Sequence, residues 1–131
     1  MTVSPGCCVG LGEWRDRALA LTGDSPWLGH DPSPEIEAGG DSLRVWQDAG
    51  SRHQRPGGYV DLPRVRLAAL LADVQRDLVG FLACLDVWGR NGGLGPRTAD
   101  LVAAVDRSFA IAAPLDLPSP AGRGEEPDRR T

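Results

Sequence analysis

The sequence predicts a mainly α protein: a small helical domain built on an antiparallel helical hairpin, with a short N-terminal helix and an irregular N-terminal segment. Three observations carry this expectation. Leu67, Leu71, Val74, Leu78, Phe81, Leu85 and Trp88 recur at alternating intervals of four and three, the mark of one apolar helical face. A glycine-rich run, Gly89 to Gly95, then separates this stripe from a second amphipathic stretch. Glycine and proline also crowd the front of the chain: residues 1–61 hold ten Gly and five Pro, against five and two in residues 62–113. The expected organisation is an irregular segment with short helices over 1–61, the hairpin core over 62–113, and a disordered tail over 114–131.

Within the hairpin, the expected first helix covers 62–88. Asp61 suits its N-cap, because a carboxylate accepts from the free N–H groups of the first turn. Pro63 falls where a missing N–H costs nothing. Leu70 and Leu82 widen the stripe, and Gly89 stands where a C′ glycine ends many helices. At 1.5 Å per residue this helix is roughly 40 Å long. Pro96 opens the second helix, with Leu101, Val102, Val105, Phe109 and Ala112 on its inner face, and Pro114 stops it. An antiparallel pairing sets Ala112 near Ala72. Leu67, Leu70 and Leu71 then need cover from elsewhere in the chain or from another copy.

The outer face of the long helix changes along its length. Arg66, Asp73 and Arg76 give way to Gly80, Ala83, Cys84 and Val87, a candidate partner surface. Small residues permit close approach of a second helix, and a third helix of the same chain is the expected cover, with a partner or second copy as the alternative.

Ahead of the hairpin, Leu11 to Thr22 fits a short helix with Leu11, Trp14, Ala18 and Leu21 on one side and Gly23 as its stop. Asp24 to Gly40 is broken by Pro26, Gly29, Pro32, Pro34, Gly39 and Gly40 and reads as irregular chain anchored by Trp27. Asp41 to Asp48 supports two readings. As a helix it is capped by Asp41; as a strand it alternates Leu43 and Val45 against Arg44 and Trp46, with Tyr59 to Leu62 as its only local partner. The helix is preferred, because an isolated two-stranded hairpin is marginal. The last 18 residues are rich in proline and charge and almost free of apolar side chains beyond Leu117, the composition of a disordered tail.

Composition narrows function. The 131 residues carry a net charge of −4, which argues against electrostatic nucleic-acid binding and against a membrane-surface helix. All 14 basic residues are arginine. The Met1-Thr2-Val3-Ser4-Pro5 start lacks the basic and apolar regions of a signal peptide, and three irregularly spaced cysteines make no disulfide framework. A cytoplasmic setting is expected, with no membrane partner.

Chemical motifs are sparse. Gly40-Asp41-Ser42-Leu43 resembles the nucleophile block of GDSL-type hydrolases. That chemistry needs a buried strand before the serine and a histidine base held by an acid. The residues before it are Glu35-Ile36-Glu37-Ala38-Gly39, and the family's late Asp-x-x-His block is missing. Gly39-Gly40-Asp41-Ser42-Leu43 also resembles the phosphopantetheine-bearing block of acyl and peptidyl carrier domains. The resemblance covers five residues and implies Ser42 as attachment site beside Asp41. A carrier continues with a long apolar helix, whereas this chain breaks at Gly50 and Pro56. Cys7, Cys8, His30 and His53 have the side chains of a zinc site, but adjacent cysteines lack the usual two-residue gap. A helix-turn-helix reading meets a connection longer than usual, with only Arg97 and Arg107 on the second helix. The expected function is therefore a non-catalytic interaction or accessory module, without cofactor or metal, self-association being one form of it. A carrier modified at Ser42 and a small DNA-associated regulator are the alternatives.

Overall fold

A computed structural model describes residues 2–50 and 55–118. His53 and residues 119–131, most of the expected tail, lie outside the described residues. The mainly α expectation is corrected: beside the helices stands a three-stranded antiparallel sheet. Its strands are β1 (Glu35–Gly39), β2 (Ser42–Trp46) and β3 (Tyr59–Pro63), in the order β1-β2-β3. A 3-10 helix (Leu11–Thr22) precedes the sheet, and helices α1 (Arg64–Asn91) and α2 (Arg97–Phe109) follow it.

The expected helix over Asp41–Asp48 is a strand because it has two partners, not one. The Glu35–Gly39 stretch, read as irregular chain, is the missing third strand. Its register sets Ile36 opposite Val45 and Ala38 opposite Leu43; across the other edge Leu43 meets Leu62 and Val45 meets Val60. Period two thus gives the sheet one apolar face. Gly40 and Asp41 form the tight β1–β2 connection, with Gly40 at φ +56°, suiting the glycine-first turn of two-residue hairpins.

The apolar face of the sheet packs around Ala20, Ile36 and Leu43, joined by Leu28, Ala38, Val45 and Leu67. Ala20 comes from the 3-10 helix, whose bounds match the expected short helix. Its winding differs. At three residues per turn, Trp14, Arg17 and Ala20 eclipse one another, so Ala20 rather than Ala18 enters the core beside Trp14 and Leu21. Gly23, at φ +96°, ends it as expected.

Helix α1 starts two residues later and ends three residues later than the sequence suggests. Asp61 does not cap it; its carboxylate receives the Arg44 guanidinium at 2.8 and 2.9 Å across the sheet. Gly89 is not its C′ residue but a buried position inside it. A Cβ there would lie 2.6 Å from Thr98 Cγ2 and 2.7 Å from Thr98 Oγ1. Gly89 is therefore where α1 and α2 touch.

That contact also turns the helix. The buried line runs through Leu71, Leu82 and Gly89, with Leu67, Gln75, Leu78 and Leu85 half-buried beside it. Val74, Phe81 and Trp88, expected inside, are exposed. Helix α2 ends at Phe109, five residues before Pro114, through Ala110 in the left-handed region at φ +49°. The following Ile111 is fully buried.

Residues 110–114 are held from two sides. Arg15 donates to the carbonyls of Ala110, Ile111, Ala113 and Pro114, and Trp14 Nε1 donates to Phe109 O at 2.8 Å. Gln75 Nε2 reaches Ile111 O and Ala113 O at 3.0 and 2.8 Å. A guanidinium at the carbonyl end of α2 also meets the negative end of its dipole. The antiparallel hairpin expected from the sequence is thus present, one turn away from the Ala112–Ala72 alignment.

Candidate functional site

Three surfaces merit attention: the polar face of the sheet, the outer side of α1, and a side-chain cluster where the N-terminus crosses the loop before β1.

On the sheet's polar face, Glu37, Arg44 and Asp61 lie in one cross-strand row, alternating in sign. Trp46 and Tyr59 form the next pair, with ring centroids 4.9 Å apart. The Arg44 guanidinium sits over the Tyr59 ring at 3.9 Å, and Arg55 over Trp46 at 4.6 Å. The Trp46 Nε1–H bond holds the Glu37 carboxyl below its usual range, with Arg55 and Arg44 adding to the effect. The Arg44 hydrogen bonds do the same for Asp61. Ser42 borders a shallow depression of about 220 Å³ with Glu37, Gly39, Arg44 and Asp61. Every charge in the row is already paired, Arg44 with Asp61 and Glu37 with Arg55, so the surface reads as sheet-stabilising. Ser42 opens a strand, paired with Gly39 and Pro63, and not the helix that a carrier serine opens.

The candidate partner surface is open. Gly80, Ala83, Cys84 and Val87 are all exposed, and a Cβ at Gly80 would meet nothing. The 3-10 helix does not cover them, contrary to the expected internal cover. It packs instead against the other end of α1 and the end of α2, where Trp14 and Leu71 are buried. From Val79 to Trp88 every exposed position of α1 is apolar or glycine. Phe81, Val87 and Trp88 are 51%, 58% and 59% exposed. An apolar groove of about 480 Å³, bordered by Val9, Leu11, Trp14, Leu70 and Val74, extends the apolar surface toward the start of the helix.

The third surface was hidden from the sequence by spacing. Cys7 and His30 face each other in an antiparallel bridge, with Cys7 N–H donating to His30 O at 2.6 Å and His30 N–H to Cys7 O at 3.1 Å. The Cys7 and Cys8 sulfurs lie 2.8 Å apart. His30 Nδ1 and Asp31 Oδ2 are 3.1 Å apart. The hydrogen bond between the thiols raises the Cys7 pKa and lowers that of Cys8, which His30 lowers further. Asp31 raises the His30 pKa, and Cys8 adds to that. Cys7, Cys8 and His30 each offer a ligand atom, and these atoms all lie within 4.8 Å of one another. Cys84, on α1, stands apart from them, a free thiol like the other two.

Comparison with known proteins finds no matching family model, no matching curated protein and no matching solved structure. Among the described residues, no helix is long and apolar enough to cross a membrane.

Proposed function

We propose that this protein is a non-catalytic interaction module that docks through the outer side of α1, and that its first partner is a second copy of itself. One observation carries the reading: from Val79 to Trp88 every fully exposed position of α1 is apolar or glycine, with Asp86 half-buried and paired to Arg90. Contiguous exposed apolar patches on soluble proteins mark contact sites. The composition of the patch suits an isologous contact. Gly80, Ala83 and Cys84 let an identical helix approach closely, while Phe81, Val87 and Trp88 beside them supply the side chains that fill the gap. A two-fold axis sets the same patch against itself. A reducing, cytoplasmic setting belongs to the same reading and is supported by three cysteines too few and too irregularly spaced for a disulfide framework.

Sedimentation equilibrium tests this. The wild-type protein should dimerise in the micromolar range, and Ala83→Arg and Phe81→Glu should give folded monomers with unchanged circular dichroism. A wild-type chain that stays monomeric at about 100 μM removes the second copy as partner. Variants that sediment as the wild type does remove the patch as the docking face.

A further inference from the structure

We infer that Cys7, Cys8 and His30 form a binding site for a thiophilic divalent cation, zinc first among them. The argument begins with the backbone. The N-terminal segment and the Leu28–Asp31 loop cross in direct main-chain contact: a Cβ on Gly6 would lie 2.1 Å from Pro32 O, and one on Gly29 would lie 2.5 Å from the Gly6 carbonyl carbon. Neither position admits a side chain, so the two glycines let the chains meet. The bridge between Cys7 and His30 then fixes the thiol and the imidazole side by side.

Consecutive residues of an extended chain point to opposite sides. Two adjacent cysteines in such a chain would therefore diverge, besides lacking the usual two-residue gap. Cys8 breaks that rule by adopting φ +72°, in the left-handed region that non-glycine residues rarely occupy. The turn brings both sulfurs to one side. Cys8 is exposed, so the conformation secures no packing in return. Unusual backbone conformations of this kind concentrate at functional sites.

The donor set fits the ion. Two thiolates and one imidazole are ligands that zinc favours, at about 2.3 Å for sulfur and about 2.0–2.1 Å for nitrogen. Tetrahedral zinc holds two such sulfurs about 3.8 Å apart, an opening from 2.8 Å that exposed side chains reach by small rotations. Asp31 on Nδ1 of His30 is the carboxylate partner that metal-bound histidines commonly have, and a proton held there leaves Nε2 bare as the ligand. Three protein ligands leave a fourth position for water or a ligand from outside. As the ion binds, the two thiol protons pass to solvent.

The test uses the full-length reduced protein under anaerobic conditions, with cobalt(II) as spectroscopic probe and zinc as competitor. Expected are one cobalt per chain, a thiolate-to-cobalt charge-transfer band in the near ultraviolet, intense visible bands of tetrahedral cobalt, and displacement of all of these by zinc. Cys7→Ser, Cys8→Ser and His30→Ala should each weaken zinc binding by at least about tenfold, and Asp31→Asn by about tenfold, the effect typical of an outer-shell partner. Cys84→Ser should leave binding unchanged. Circular dichroism of each apo variant confirms that it is folded. Absence of the charge-transfer band, binding that survives Cys8→Ser or His30→Ala in a folded chain, or one metal per two chains would each overturn the assignment.

Discussion

Two glycines on α1 should respond to the same substitution with opposite signs. Gly80 faces open space, whereas Gly89 lies against Thr98, itself only 2% exposed. At Gly80, alanine lowers the entropy of the unfolded chain and improves helix propensity, a gain of about 0.5–1 kcal/mol. At Gly89 the same gain is smaller, because the helix ends at Asn91. It is opposed by a methyl placed 2.6 Å from Thr98 Cγ2, well inside ordinary contact. Overpacking of this kind costs about 1–3 kcal/mol. Gly89→Ala should therefore destabilise by about 1–2 kcal/mol. Thr98→Ala removes both clashing atoms, one of them an Oγ1 that finds no hydrogen-bond partner among the described residues, so adding it should recover most of the loss. Urea denaturation at two protein concentrations measures these variants and separates folding from association. If Gly89→Ala stabilises as much as Gly80→Ala does, the helices do not meet at Gly89 and the rotation of α1 that exposes Phe81 loses its cause.

Other expectations follow from the same contacts. Leu21→Ala should cost about 2–5 kcal/mol through a buried cavity, while Phe81→Ala, half-exposed, should cost under about 1 kcal/mol in the monomer; urea melts at low concentration distinguish them. Arg15→Ala should cost about 2–3 kcal/mol, since it strips a charged donor from four carbonyls, and Arg15→Lys should restore only part, lacking the planar fork. Acid sensitivity should arise in part from the sheet's charged row. Asp61 and Glu37 have folded pKa values below their unfolded ones, so their stabilisation is present above the unfolded carboxylate range and is lost as pH falls through the folded values. Asp61→Asn should flatten the acid limb of a stability–pH profile; an unchanged slope would show that the Arg44 pair contributes nothing.

The helices were legible because their signals are local. Leu11–Thr22 with Gly23, and the apolar period of α1, need no knowledge of the rest of the chain. The sheet was legible only as pairs. Leu43 and Val45 alternate against Arg44 and Trp46, but the strand reading depended on a third strand, and Glu35–Gly39 is too short, with Pro34 before it and Gly39-Gly40 at its end, to announce itself. The alternation of Ile36 and Ala38 against Glu35 and Glu37 was the available signal. The face of α1 was misjudged by a small rotation because Leu, Val, Phe and Trp surround most of the helix; what decided the matter was a glycine opposite a threonine, which carries no hydrophobic signature. Cys7, Cys8 and His30 were named in the sequence but set aside on spacing, for a different reason. Intervals along a chain assume ordinary backbone, and the left-handed turn at Cys8 and the glycine crossing remove that assumption.

The grip of Arg15 and Trp14 on Phe109 to Pro114 joins residues 95 to 99 positions apart. This sets an order of assembly during synthesis. The sheet uses contacts that are complete by Asn91, whereas the 3-10 helix and α1 also take partners from residues 98–114, which emerge later. Contacts of such long range are slow to form, and chains are made at about 5–20 residues per second. While residues 92–114 are being added, the Trp14 side of the N-terminal helix waits without its final cover, and Trp14 and Leu71 remain open to premature contact with neighbouring chains. A nascent chain stalled just before Phe109 should therefore bind a holdase chaperone that one released beyond Pro114 no longer engages.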